Sequence, residues 1–320
     1  GVTGHSCDPF LLRREVQTDM LKKIFAVFLT ILTVFISVSS VGFAQAEYAA
    51  DISFSLKENG GEEVPEIIYV YPGESVTAFL NLKTSDGFFA GPFASQIFYS
   101  ANGFEKADIT LNTSGRFYSC CKTYTNLSPF NNISQSAKDR LYPAEWNDEQ
   151  KQKYKFFNLN MIPTAADCTS APGDLDEDLL TLDLTFSKKL SVGSRYEVFI
   201  AENSLRTEKN PTGGTYLSCY KNSGDLSGER YDYGDDITVN INKAKLCFEI
   251  TNVGDVNSDG RISAADALTV LQFSAGLVSL NEDAKEKSDV NRDGRINAAD
   301  ALSILQISAG LTRINDLLNK

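Results

Sequence analysis

The sequence is poor in the residues that most often carry chemistry. It has one histidine, His5, one tryptophan, Trp146, and two methionines in 320 residues. Without a histidine beyond residue 5 it has no Ser-His-Asp or Cys-His arrangement and no imidazole ligand for a transition metal. It lacks a basic excess as well. Thirty Lys and Arg against 42 Asp and Glu give a net charge of −12, which excludes the electrostatic footprint of non-specific nucleic-acid binding. No C-x-x-C zinc pattern occurs, and no long apolar run lies beyond residue 46. Carboxylates, carbonyls and thiols remain as the available chemistry. With 42% hydrophobic and 22% charged residues the chain is globular, and its length suits about two domains.

Residues 20–46 read as a secretory signal. Met20 is followed by Lys22 and Lys23, then by an apolar run from Ile24 to Ile36 broken only by Thr30 and Thr33, and Ala44-Gln45-Ala46 fits an A-x-A cleavage site. A membrane anchor is the alternative, although the run is shorter than the roughly 20 residues that span a bilayer. Residues 1–46 are therefore expected to be a leader, and the remainder to be secreted, extracellular or part of a cell-surface complex, with no membrane span after cleavage. That remainder holds 26 basic and 39 acidic residues, a net charge of −13. It also holds five cysteines, Cys120, Cys121, Cys168, Cys219 and Cys247. An odd number allows at most two intramolecular disulfides, and adjacent Cys120 and Cys121 could bond each other only under strain. Structural disulfides or buried thiols are the plain reading. A catalytic thiol without histidine is the alternative.

An internal repeat dominates the C-terminus. Residues 255–277 read DVNSDGRISAADALTVLQFSAGL and residues 289–311 read DVNRDGRINAADALSILQISAGL; 18 of 23 positions are identical at an offset of 34. Each copy opens with D-x-N-x-D-G and has Asp at its twelfth position, the pattern of an EF-hand calcium loop with Asp closing the site. A hard divalent cation takes six to eight oxygens. Asp255, Asn257 and Asp259 offer side-chain oxygens, Arg261 its backbone carbonyl, Ser263 an oxygen often acting through water, and Asp266 the closing carboxylate. Asp289, Asn291, Asp293, Arg295, Asn297 and Asp300 are their equivalents. The sequence thus predicts two Ca2+ ions, one per repeat. Two acidic turns without metal are the bland alternative.

Each loop should run into a helix capped by Ser263 or Asn297 and ended near Gly276 or Gly310. No matching helix precedes the first loop. Leu268, Leu271 and Ala275, like Leu302, Leu305 and Ala309, form apolar stripes at helical spacing, expected to be buried against each other.

This loop-plus-helix pair, residues 253–316, resembles a type I dockerin. The resemblance implies docking onto a cohesin module of a scaffoldin in a cellulosome. It places the partner contacts at the tenth and eleventh loop positions and farther along each helix. Those positions are Ala264, Ala265, Leu271 and Gln272, and Ala298, Ala299, Leu305 and Gln306. Many members of the family carry Ser or Thr at the first two, so the Ala-Ala pairs imply a less polar docking surface.

Residues 47–250 carry strand-like runs separated by turn signals. They are 51–56, 67–71, 75–82, 94–99, 179–186, 195–201, 237–241 and 246–250, with a helix only around 144–154. An antiparallel β-sandwich is expected, followed by the small all-α calcium-binding domain at 253–320. Residues 70–100 and 179–203 resemble a cohesin or a related carbohydrate-binding sandwich, which implies a cohesin-like jelly roll. Residues 111–170, rich in Asn, Ser, Tyr and Cys, fit no strand ladder and look inserted.

Three features of this region admit a bland and a functional reading. Asp174, Asp176, Glu177 and Asp178 form a solvated loop or a further cation site. Phe88, Phe89 and Phe93 pack in the core or form a sugar- or protein-binding patch. Carboxylate pairs for glycoside hydrolysis are numerically available, but no local signature marks one, so no catalytic residue is assigned. The chain reads as a secreted cellulosome component supporting polysaccharide catabolism. Its sandwich would be a non-catalytic module for a polysaccharide or a cell-surface protein. A dockerin-borne glycoside hydrolase is the alternative.

Overall fold

The computed structural model describes residues 48–57, 64–126, 141–202, 214–220, 225–228, 230–231 and 237–319. The expected leader lies outside them. Among the described residues no helix is long and apolar enough to cross a membrane.

Strands β1 (Tyr48–Ser55), β2 (Ile68–Val70), β3 (Ser75–Thr84), β4 (Phe89–Ser100) and β5 (Phe104–Leu111) come first. Helix α1 (Arg116–Ser119), β6 (Cys121–Asn126), helix α2 (Asp148–Lys153) and β7 (Tyr154–Pro163) follow. Then come β8 (Asp176–Phe186), β9 (Arg195–Ile200), β10 (Tyr216–Tyr220), β11 (Arg230–Tyr231), β12 (Ile237–Asn240) and β13 (Lys245–Ile250). Helices α3 (Ala264–Ser274), α4 (Glu282–Ser288), α5 (Ala298–Ser308) and α6 (Asn315–Leu318) end the chain. The expected architecture, a mainly β sandwich followed by a small helical domain, is present.

One sheet runs β12-β1-β3-β8-β5. The other runs β11-β10-β4-β9-β13-β2, with β7 also on β4 and β6 on β7. Alternation explains which face is inside. On β3, Ala78, Leu80 and Leu82 are fully buried, while Ser75 and Thr77 face out and hydrogen-bond Thr185 and Asp183 of β8. The sheets close over one core in which Leu80, Leu82, Leu182 and Phe186 meet Ile97, Phe157, Val198 and Phe248. The ladders are antiparallel except at two places, where β12 joins β1 and β2 joins β13 in parallel. That departs from the all-antiparallel expectation.

One further expectation is corrected. Residues 111–170 are not a strandless insertion: β7 pairs with β4 from Phe93↔Met161 to Ser100↔Tyr154, and β6 pairs with β7. Phe157, Leu159 and Met161 are buried at period two, and the intervening Asn158 and Asn160 disguised the strand. For the phenylalanines, the core-packing reading holds over the surface-patch one. Phe88 and Phe93 are buried in the main core, and Phe89 opens β4.

Trp146 lies in a satellite cluster on the outer side of the larger sheet. Its ring stands 4.8 Å from that of Phe98 and 5.4 Å from that of Tyr154. Asn147 caps α2 behind it with a full capping box.

Candidate metal centres and docking faces

Both repeats fold into the same loop. In the first, the Asp259 and Gly260 N–H groups donate to Asp255 Oδ1 (3.1 Å) and Oδ2 (3.0 Å). Asn257 Oδ1 also accepts from Asp259 N–H (2.9 Å), and Asp259 Oδ1 accepts from Arg261 N–H (2.9 Å). Asp266, at the start of α3, accepts from Asn257 N–H (3.1 Å) and Ser263 N–H (2.9 Å). The second loop repeats this: Asp293 and Gly294 N–H donate to Asp289 (3.1 and 3.0 Å), and Asn291 and Asn297 N–H donate to Asp300 (3.4 and 2.9 Å). Gly260 and Gly294 sit at φ 82° and 79°, the left-handed region where an L side chain is strained.

The carboxylates gather because backbone amides hold them, and each oxygen keeps a further lone pair. Among the described residues no group of three or more His, Cys, Asp or Glu side chains stands at metal-ligating spacing, so the fit to calcium rests on the donor set. Three aspartates and an asparagine line each loop, and Asp266 and Asp300 are fully buried. Burial pushes the Asp300 carboxyl above the usual carboxylate range. Backbone N–H bonds from Asn297 and Asn291 oppose the shift, and nearby Asp289 and Asp293 add to it. Crowded oxygen-only anions of this kind suit a hard divalent cation. At the ninth position both side chains act as helix caps: Ser263 Oγ accepts from Ala265 N–H (3.2 Å) and Asn297 Oδ1 from Ala299 N–H (2.8 Å). As expected, the first loop follows a strand and linker. The second is preceded by the short helix α4.

The family model of the dockerin type I domain matches residues 253–306. The C-terminal module is a type I dockerin. No curated protein matches the chain. Solved structures similar to the chain include cohesin modules. The seventh ScaB type I cohesin of Pseudobacteroides cellulosolvens has 8% identity, covers 64% of this chain and 92% of its own, and gives a TM-score of 0.31. The sixth cohesin of scaffoldin B from Acetivibrio cellulolyticus, solved with a mutant dockerin, has 11% identity, 64% and 99% coverage, and a TM-score of 0.32. A non-cellulosomal cohesin from the archaeon Archaeoglobus fulgidus has 7% identity, 64% and 92% coverage, and a TM-score of 0.30. Overlaps this loose assign no binding face to the sandwich.

The dockerin helices bury a different face from the one expected. Ala267 and Val270 of α3 pack with Ala301 and Ile304 of α5, whereas Leu268 and Leu302 are 55% and 56% exposed and Leu271 and Leu305 are 42% and 41% exposed. The apolar stripe read as core is therefore an outer surface. Helix AADALTVLQFS is apolar nearly all round, so spacing alone could not choose the buried side. Ala264, Ala265, Ala298 and Ala299 are exposed beside these leucines, with Gln272 and Gln306 half-buried. The eight expected contact residues thus lie on two closely similar faces. Leu268 and Leu302 belong to the same faces, and the missing signal was the absence of any charged residue in either helix after its first-turn Asp.

In the sandwich the candidate groups are consumed by structure. Lys83 pairs with Asp176 (2.6 Å), Glu177 accepts from Arg116 and Phe117 N–H (2.9 and 2.6 Å) at the start of α1, and Asn81 donates to buried Asp178 (3.3 Å). Asp174 accepts from Gly87 N–H (3.3 Å), so the four members of the acidic cluster are dispersed over separate tasks. Burial would raise Glu197, but hydrogen bonds from Lys245 and Tyr154 hold it below the usual range. The five described cysteines are free thiols. Burial and a hydrogen bond with Cys168 push Cys120 up to about 12. Burial, then the neighbouring thiols, raises Cys121 as well, the reverse of what a nucleophilic thiol needs.

Proposed function

We propose that this is a secreted cellulosome component that docks by its dockerin onto a cohesin module of a scaffoldin, and that its sandwich, residues 47–250, is a non-catalytic binding module for a polysaccharide or cell-surface protein. Residues 253–320 would take two Ca2+ ions. Asp255, Asn257, Asp259, Arg261, Ser263 and Asp266 would hold one, and Asp289, Asn291, Asp293, Arg295, Asn297 and Asp300 the other. The cation neutralises charge that otherwise forces each loop apart. The observation that carries the reading is the pair of matching exposed leucine faces, each rooted in its own loop. Exposed apolar surface of this kind marks a partner site.

Two observations support a non-catalytic sandwich. Glu74 has its proton affinity raised by burial, but its carboxylate accepts from Tyr71 N–H (2.7 Å) within a turn. Glu197 is held low by Lys245 and Tyr154. Glu197 is therefore not poised as a general acid, and Glu74 is engaged in holding its turn.

Full-length protein should bind an immobilised type I cohesin in calcium and lose at least 100-fold in affinity in chelator. Asp255→Ala combined with Asp289→Ala should abolish binding with calcium present. Calcium-independent binding would overturn the docking mechanism. Turnover in a reducing-sugar assay over a polysaccharide panel, lost on changing one Asp or Glu of the sandwich, would make the chain an enzyme.

A further inference from the structure

Strand β2 belongs to two cores. Among the described residues it ends the larger sheet and pairs only with β13, from Phe248↔Ile68 to Ile250↔Val70. Ile68 and Val70 point into the sandwich core, whereas Tyr69, one residue out of phase, is buried in the dockerin core with Val256, Val270 and Ile304. Ile67 and Tyr71, on the same side as Tyr69, pack against that second core. An edge strand normally leaves a row of backbone groups open. Here the Asn315 carboxamide closes it: Tyr69 N–H donates to Asn315 Oδ1 (2.6 Å), and Asn315 Nδ2 donates to the Tyr69 carbonyl (2.9 Å). Asn319 Nδ2 donates to the Ile67 carbonyl (3.1 Å). Asn315 and Asn319 lie beyond the residues matched by the dockerin family.

The lead-in to the first loop meets Tyr71, just past this strand, and the second loop meets the strand itself. Tyr71 Oη donates to the Val253 carbonyl (2.9 Å), two residues before the first ligand, Asp255. Arg292, between Asn291 and Asp293, places its guanidinium 5.3 Å from the centre of the Tyr69 ring. The equivalent residue of the first loop, Ser258, instead accepts from Lys287 Nζ (2.8 Å) within the dockerin. The repeats are therefore nearly symmetric on their docking faces and asymmetric where the second meets the sandwich.

We propose that β2 makes sandwich and dockerin one cooperative unit, so that calcium taken up by the dockerin also stabilises the sandwich and holds the docking faces at a fixed orientation to it. The inference rests on the calcium reading above. A ligand bound only to the folded form stabilises everything that unfolds with its site.

The only tryptophan provides the test, because Trp146 reports the satellite core of the sandwich. Thermal unfolding of the full chain is followed by Trp146 fluorescence with saturating calcium and with chelator, and calorimetry records calcium uptake. Calcium at about a hundred times its dissociation constant should raise the Trp146 midpoint by about 5 °C or more. Asn315→Ala with Asn319→Ala, and separately Arg292→Ala, should still take up calcium yet lose most of that rise. Calcium uptake with an unmoved Trp146 midpoint in the unaltered chain would overturn the coupling and leave the calcium sites standing. A full rise retained in both variants would overturn the role of this seam. Absence of any uptake would sink the calcium sites and the coupling together.

Discussion

Asp266 and Asp300 each serve a loop and a helix at once. One oxygen accepts from the N–H of the third loop residue, the other from the N–H of the cap residue. Replacing either by Ala would remove a proposed ligand and a cap together, so the opening positions, Asp255 and Asp289, are the cleaner probes. A second residue-scale consequence concerns sulfur. The thiolate is the reacting form, and Cys120 has its thiol pushed from 9.0 up to about 12 by burial and by Cys168. Near pH 8 the folded protein therefore holds far less Cys120 thiolate than the unfolded chain. Alkylation of reduced protein should label Cys120 at least ten times more slowly when folded than in denaturant, as read by peptide mass spectrometry. The gap should narrow as pH rises toward 12, because the folded thiol then ionises too. Equal rates near pH 8 would contradict the packing around it.

Helices α3 and α5 carry the docking prediction at the scale of elements. Their outer faces present Ala-Ala, then Leu, Leu and Gln, in the same order and at matched exposure. A half-turn would exchange one face for the other. Leu271→Ala alone should leave cohesin affinity within about threefold, because the α5 face substitutes. Leu271→Ala with Leu305→Ala should lower it by about 10- to 150-fold, since either orientation then lacks one leucine contact worth about 1.5–3 kcal/mol when buried. Titration calorimetry distinguishes the two, and a large loss from the single change would refute dual docking. Legibility differed between elements for physical reasons. The loops were readable residue by residue, because coordination fixes the donor type at each position. Strands β3 and β8 were readable from their alternation. β7 was not, because its half-buried asparagines Asn158 and Asn160 look like loop residues, and β6 was hidden in the same polar stretch. The role of Tyr69 was also illegible. Nothing in a five-residue apolar run announces that its alternate side chains serve different domains, and Asn315 lies 246 positions away.

At the scale of the whole molecule the seam at β2 predicts a consequence for self-association. An open edge strand pairs with other chains, and β2 exposes the Tyr69 N–H and carbonyl and the Ile67 carbonyl unless Asn315 and Asn319 cover them. Three residues make a short edge, so the expected association is weak and depends on concentration. Truncation after Arg313 removes α6 with both asparagines. It also removes Ile314 and Leu318 from the dockerin core, so loosening of that core needs its own control. Leu318→Ser supplies it by weakening the core while leaving Asn315 in place. In calcium, sedimentation velocity over a concentration series should find the full chain and Leu318→Ser monomeric. The truncated chain should shift toward dimers at tens of micromolar, reversed by adding Lys at Ile67, where a charge on the edge opposes pairing. Equal association of the truncated chain and Leu318→Ser would assign the effect to the exposed dockerin core. Monomers throughout would mean that the two asparagines serve only to join the modules.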